Sequence, residues 1–287
     1  MCMHTLPRLL TVTAGIMVCA GVTLPAQWRF QSKGVPLTPA GTPNLEAPAP
    51  KLADGTPDLS GLWDAEKRPC EDAKAPLGCI DAQRGVPVGA ASLASDLPPS
   101  DPNDPTPFQP WAKALVAQRV AEFGKDSPHA RCLPQASPSA WATFDMQKIV
   151  HTADGVTILQ EYMGQYRQIF LDGRPLPTDP EPTFKGYSVG KWEGDTLVVE
   201  TIGYKENWLD GQGRPLTEQA RTIERIRRVN YGTLEVEMTI DDPKAYTKPW
   251  KTRTVKLGLV LNTDVMEYIC NENEKSVEHM VGKGDAK

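Results

Sequence analysis

The chain has 287 residues, is 40% hydrophobic and carries a net charge of −5, with 31 Lys and Arg against 36 Asp and Glu. That length allows one or two domains with a sizeable core. The acidic balance, without any basic run, excludes the positive surface a nucleic-acid-binding protein needs.

The chain opens on "MCMHTLPRLLTVTAGIMVCAGVTLPAQ". Arg8 precedes an apolar run from Leu9 to Leu24, followed by Leu24-Pro25-Ala26. A positive start, an apolar middle and a small residue at the cut describe a secretory signal, here 1–26. The run falls short of the ~20 apolar residues of a membrane span. Lipidation at Cys19 is the alternative, opposed by the bulky Val18 before it. The expected product is exported, periplasmic or secreted, with no membrane span in the mature chain.

Residues 27–110 form a Pro/Gly-rich arm holding fifteen of the 27 prolines, from Pro36 to Pro110. Proline removes a backbone donor and fixes φ, so long regular elements are excluded. One strand is expected near 59–65, in "DGTPDLSGLWDA". A helix is expected over 111–124. Ala112, Leu115, Val116, Val120 and Phe123 fall at helical spacing, and Gly124 is a stop. Its apolar face should pack on the barrel or cap its end. "DPNDP" at 101–105 offers oxygens to calcium but reads as a proline-rich linker.

From Ile149 the period changes to two. In "GVTILQEYMGQYRQIFLDG", Val156, Ile158, Gln160 and Tyr162 share a side. In "TLEVEMTIDD", Leu234, Val236, Met238 and Ile240 oppose Thr233, Glu235, Glu237 and Thr239. "TVKLGLVL" and "DVMEYICNE" continue the alternation of half-buried strands. Asp154-Gly155, Asp172-Gly173, Gly194-Asp195 and Tyr231-Gly232 supply turns. In "GYSVGKWEGDTLVVETIGY", Tyr187 to Trp192 and Leu197 to Thr201 are paired strands. Asp195 belongs to their turn and is expected to bond nearby backbone N–H groups. Residues 130–280 therefore predict a mainly β, antiparallel, lipocalin-like barrel.

"YRQIFLDGRPLP", "GYSVGKWEGDTLVVETIGY" and "IDDPKAYTKPW", after a "DGxPDLSGxW" segment, resemble a family of exported bacterial proteins of no assigned function. The resemblance covers about residues 50–275. It implies secretion and a mainly β fold and transfers no catalytic residue. Gly61-Leu62-Trp63 is also similar to the Gly-x-Trp that opens the first strand of lipocalins, whose interiors hold small ligands. That similarity speaks of fold rather than function.

Once the signal is set aside, four cysteines remain: Cys70, Cys79, Cys132 and Cys270. An even number in an exported chain predicts two disulfides. Three pairings are possible; Cys70–Cys79 and Cys132–Cys270 are favoured. Cys132 beside His129 is also conceivable as a nucleophile.

Widely spaced His129, His151 and His279 give no metal motif, and neither a nucleophile elbow nor a phosphate loop is present. No cofactor or metal is expected. What remains is polar residues inside strands: Tyr166, Arg167, Glu200, Glu224 and Arg225 are the candidate ligand-binding set. Parity sends Tyr166 and Arg167 to opposite faces, and likewise Glu224 and Arg225. Arg167 shares its face with Ile169 and Leu171, and Glu224 with Ile226, so these two are expected inward. The bland alternative is a solvated outer wall of cross-strand ion pairs. The leading function is binding of a small molecule inside the barrel. The rivals are a metal-independent hydrolase, lyase or isomerase using Glu, Tyr and Arg, and an envelope interaction protein using the arm.

Overall fold

A computed structural model describes residues 34–65, 97–122, 124–143 and 145–270, with the backbone of three short strands between 68 and 87. The signal segment, Cys70 and the side chain of Cys79 lie outside the described residues, and the Cys70–Cys79 pairing with them.

The strands are β1 (Gly61–Ala65), β2 (Arg68–Pro69), β3 (Cys79–Asp81), β4 (Val86–Pro87), β5 (Gln147–Thr152), β6 (Gly155–Gln160), β7 (Gln165–Phe170) and β8 (Tyr187–Glu193). They continue with β9 (Thr196–Ile202), β10 (Asn207–Trp208), β11 (Pro215–Leu216), β12 (Arg221–Arg228), β13 (Thr233–Asp241), β14 (Trp250–Lys251) and β15 (Val255–Leu259). Two helices, α1 (Pro110–Ala121) and α2 (Ser137–Ala140), precede β5.

Nine strands close a ring in the order β1-β5-β6-β7-β8-β9-β12-β13-β15, with β12 pairing β13 and β15 returning to β1. The barrel is lipocalin-like in kind. It departs from the expected antiparallel scheme at one joint, where β7 and β8 run parallel through Ile169↔Ser188 and Phe170↔Val189. The cause is local. Residues 171–186 carry Pro175, Pro177, Pro180 and Pro182, so the chain cannot reverse in a tight hairpin. It leaves the end of β7 and re-enters beside that same end.

Alternation sets the walls. On β12 the burial runs exposed-buried throughout, with Thr222, Glu224, Ile226 and Arg228 inward. Leu234, Val236, Met238 and Ile240 face them from β13, each fully buried. The outer wall carries ion pairs such as Arg227–Glu235 at 3.0 Å. Exposed pairs of this kind contribute ~0–1 kcal/mol each, so the inward face holds the barrel.

The β8–β9 hairpin turns on Gly194-Asp195, with Glu193 opposite Thr196. Gly194 has φ +60°, which a β-branched residue adopts only with strain. Asp195 bonds Lys51 Nζ at 3.0 Å, so the arm, rather than the backbone of its own turn, is its partner.

Helix α1 keeps to its predicted place and Gly124 follows it at φ +66°. Its packing differs from the expectation. Only Ala112 is buried, and Val120 stays 57% exposed. The helix is held near its ends: Trp111 Nε1 donates to Lys244 O at 2.8 Å, and the Arg119 guanidinium lies 4.7 Å over Trp208.

Cys132 and Cys270 form a disulfide, as expected, across 138 residues. Cys270 is not in a strand, however: residues 260–270 carry none. The alternation in "DVMEYICNE" has no partner strand beside it, because β15 and β1 already close the ring. The segment runs instead as a tail along the barrel. Lys148 Nζ holds Asp264 at 2.8 Å, Met266 N–H donates to Glu161 Oε1 at 2.8 Å, and Tyr268 stacks on Tyr162 at 5.5 Å.

Candidate functional site at the polar end of the barrel

The interior has two unlike ends. Its middle is filled by packed side chains, among them Trp63, Ile149, Ile158, Ile169, Ile226 and Leu234. One end is closed by Arg228, whose guanidinium lies 4.9 Å from the Trp63 ring and 5.0 Å from that of Tyr231. It donates to the carbonyls of Asp58 at 2.7 Å and Ser60 at 3.1 Å and to that of Tyr231. That cation is consumed by structure.

At the other end Arg167 and Glu224 project inward from β7 and β12, 2% and 0% exposed. Arg167 Nη2 bonds Glu224 Oε2 at 2.6 Å and donates to Thr201 Oγ1 at 2.9 Å, and Nε donates to Ser188 Oγ at 3.1 Å. Trp141, just past α2, donates Nε1–H to Glu224 Oε1 at 3.1 Å. A buried ion pair holds only when its remaining groups are hydrogen-bonded, and this network supplies those bonds. Nη1 of Arg167 is the exception, since no described residue accepts from it.

Beside this pair Tyr204 OH joins Thr222 Oγ1 at 2.6 Å and Ser137 Oγ at 3.1 Å, and burial pushes the phenol up to about 12. Gln147 Nε2 donates to Ala140 O at 2.5 Å, and Gln160 Nε2 donates to Gln147 Oε1 at 3.4 Å. The polar layer thus joins strands around the barrel to the α2 segment that stoppers it.

Lys185 sits above this layer. It lies in the turn Thr183–Gly186, where Gly186 N–H donates to Thr183 O at 3.4 Å. Thr183 is pinned to β9's exit through Thr183 N–H to Gly203 O at 3.0 Å and Lys205 N–H to Thr183 O at 2.8 Å. Gly186 has φ +69°, and a Cβ there would stand 2.5 Å from Thr201 Cγ2 and 2.8 Å from Ile202 O. Only glycine lets the turn press this close, two residues before Ser188 meets Arg167.

Burial lowers the Lys185 ammonium to about 7, helped by the Arg167 guanidinium and opposed by Asp145. No described residue accepts a hydrogen bond from its Nζ. Asp145, just before β5, is 8% exposed, and its buried Oδ2 accepts no hydrogen bond from a described residue. Burial raises its carboxyl to about 7, with Glu161 and Asp64 adding repulsion. His129 is lowered to about 4 by burial and by Lys185, and its ring lies 5.7 Å from Tyr162. The polar end therefore gathers two cationic groups with unused donors, a buried acid and a neutral imidazole.

The candidate residues divide cleanly. Arg167 and Glu224 point inward and meet. Tyr166, Glu200 and Arg225 do not line the interior, because strand parity turns them outward. Tyr166 is 64% exposed, Glu200 pairs with Arg221, and Arg225 Nη1 pairs with Glu193 Oε2 at 3.0 Å. Glu200 and Arg225 belong to the wall of cross-strand ion pairs, and Tyr166 stands exposed on the same outer face. Sequence reasoning missed Lys185, Asp145 and Trp141. All three lie in connections, where no alternation marks a direction. Cys132, weighed as a nucleophile, is a half-cystine.

Other polar features are committed elsewhere. Asp242 takes Thr217 N–H and Oγ1–H, each at 2.7 Å, and Asp210 takes Leu97 N–H at 3.2 Å and Gln212 N–H at 3.0 Å. A groove of about 420 Å³ lies against β1 and the tail, lined by Asp58, Ser60, Lys148, Arg228 and Asp264. Its cations already hold carbonyls and Asp264. Among the described residues, no group of three or more His, Cys, Asp or Glu is placed to hold a metal ion. No protein-family model, no curated protein and no solved structure matches the chain.

Proposed function

We propose that the protein is an exported binding protein for a small organic anion, a carboxylate or a carbonyl compound bearing one, held at the polar end of the barrel. One observation carries the reading: Arg167 Nη1 and Lys185 Nζ meet no described acceptor, at the same end of the interior. Glu224 balances the charge of Arg167 and Asp145 attracts Lys185, and an anionic ligand would complete the donors that these two acids leave unused. The packed middle of the barrel favours a small ligand. Export is supported by the N-terminal pattern of Arg8, an apolar run and Ala26, and by the Cys132–Cys270 disulfide.

Thermal denaturation with a panel of small carboxylates and their uncharged amides tests this. Carboxylates are expected to raise Tm and the amides to leave it unchanged. In Lys185→Met the carboxylate effect should shrink. Equal effects of acid and amide, or none from either, would remove the anion site.

A second reading, an enzyme at the same place, is favoured by Asp145 and Lys185 both being drawn to about 7, where general acid–base catalysis works at neutral pH. The interaction-protein reading is weakened by the arm's own contacts. Its described part is bound to the barrel through Gly232 N–H to Leu45 O at 2.8 Å, Tyr231 N–H to Ala47 O at 2.7 Å and Lys51 to Asp195.

A further inference from the structure

We propose that the groove against β1 and the tail is a second binding site, separate from the polar end and independent of the anion-site reading, for a neutral mono- or disaccharide.

The groove has a volume of about 420 Å³, inside the range of about 300–1,000 Å³ over which small-molecule pockets fall. Four charged side chains line it and cancel one another, Asp58 and Asp264 against Lys148 and Arg228. Both cations are already engaged. Lys148 Nζ bonds the two oxygens of Asp264, each at 2.8 Å, and Arg228 donates to the carbonyls of Asp58, Ser60 and Tyr231. A charged ligand would enter without a counter-charge, which disfavours it. An apolar ligand fares no better. Ser60, Tyr231 and Thr263 also line the groove, and no described residue bonds their hydroxyls. Asp58 accepts from Ser60 N–H through Oδ1 at 2.8 Å and leaves Oδ2 without a described donor. Covering these groups with hydrocarbon would strip them of water and return nothing. A ligand that is neutral yet rich in hydroxyls meets both conditions. Its O–H groups donate to Asp58 Oδ2 and exchange hydrogen bonds with the three hydroxyls, while its C–H face covers Leu62 and Leu259 of the same lining.

The walls are set before any ligand arrives. One guanidinium joins the backbone at Asp58, Ser60 and Tyr231, three of the four positions that carry the unspent groups. The fourth, Thr263, precedes the Asp264 that Lys148 holds, and Val260 N–H donates to Leu62 O at 2.8 Å where the tail begins. Polar groups fixed in advance lose little entropy on binding, which suits a ligand with little apolar surface to bury. Arg228 is thus the clamp of the groove, and the hydrogen bonds to the sugar fall to its neighbours.

Amide NMR of the intact protein tests this. The probes are glucose, galactose, mannose, N-acetylglucosamine, maltose and cellobiose; glucuronate, glucosamine and a capped dipeptide are the controls. At least one neutral sugar is expected to give saturable shifts at Ser60, Gly61, Tyr231 and Thr263. Ser60→Ala and Tyr231→Phe leave the backbone clamp in place, and each should weaken that sugar about 3- to 10-fold, the worth of one hydrogen bond, at unchanged Tm. Shifts from none of the sugars, or shifts that grow without saturating, overturn the site. Tighter binding of glucuronate, glucosamine or the dipeptide at the same amides overturns the saccharide class. Small carboxylates should instead move the amides around Thr183 and Thr201 and leave the groove still, so either site can fail without the other.

Discussion

The two ends of this barrel are built from the same nine strands, and each contains a buried arginine, yet the two cations are treated differently. Arg228 lies between Trp63 and Tyr231 and donates to three backbone carbonyls. Nothing in that arrangement changes charge or awaits a partner. Arg167 is held by one carboxylate and two hydroxyls and keeps one nitrogen unspent, with Lys185 and Asp145 nearby. Carbonyl ligation builds a plug. A carboxylate partner, itself held by Trp141, builds a charged floor on which further groups collect. The lesson is that a buried cation marks a site only when its surroundings leave it unfinished.

The largest test of this contrast lies on β12, where Glu224 and Ile226 are successive inward residues at the polar level and the packed middle. Glu224→Leu should strand the Arg167 guanidinium and cost about 3–5 kcal/mol in chemical denaturation. Adding Arg167→Met should recover most of the loss, since an apolar pair replaces a buried ion pair at little cost. Ile226→Ala should cost a comparable amount with no such rescue. A double variant as unstable as Glu224→Leu would break the contrast.

The tail lines the groove beside Arg228 with Asp264 and reaches the polar mouth at Met266 and Tyr268, so its tether at Cys270 should matter most there. Cys132→Ser frees a long loop in the unfolded chain and should cost about 2–5 kcal/mol. Hydrogen exchange should rise first around Tyr162 and Glu161, which the tail contacts, and only later near Trp63. Uniform loss of protection would mean the ends are not separable.

Gly194 belongs to the opposite end. Gly194→Val forces a β-branched side chain into φ +60° and should cost about 1–3 kcal/mol. It should leave anion binding intact in the folded fraction; lost binding would couple the ends.

The polar end should also show itself in pH dependence. The folded-state pKa of Lys185 is lowered to about 7 from 10.5. Between those values the folded protein binds fewer protons than the unfolded chain, so this group makes stability rise with pH across that window. The difference in Tm between the wild-type protein and Lys185→Met should therefore grow more favourable to the wild type from pH 7 to 10. A flat difference would mean Lys185 is an ordinary surface amine. The smallest effect is expected at Asp195→Asn, which weakens an exposed pair with Lys51 worth ~0–1 kcal/mol. Binding should be unchanged.

The wall of the barrel was legible because a strand has period two. "RTIERIRR" assigns Glu224 and Arg225 to opposite sides, and a face shared with Ile169 or Ile226 decides which is inward. That same rule removes Tyr166, Glu200 and Arg225 from the interior, although the candidate set kept them. The cysteine count carried Cys132–Cys270 among its possible pairings, because an even number of thiols constrains the partners.

Three things were beyond that reach. The parallel entry of β8 depends on where a proline-rich connection returns, which alternation along one strand does not encode. The loss of a strand at 264–270 depends on whether an edge remains open, and closure through β15 and β1 leaves none there. Lys185 and Asp145 lie in turns, where side-chain direction follows tertiary contact rather than period. Their drift toward neutrality comes from desolvation and from charges distant in sequence: Arg167 for the lysine, Glu161 and Asp64 for the acid. Local pattern determined which face each strand residue takes. Only the closed barrel brought charges from separate connections to one end, because burial and Coulomb coupling depend on distance in space.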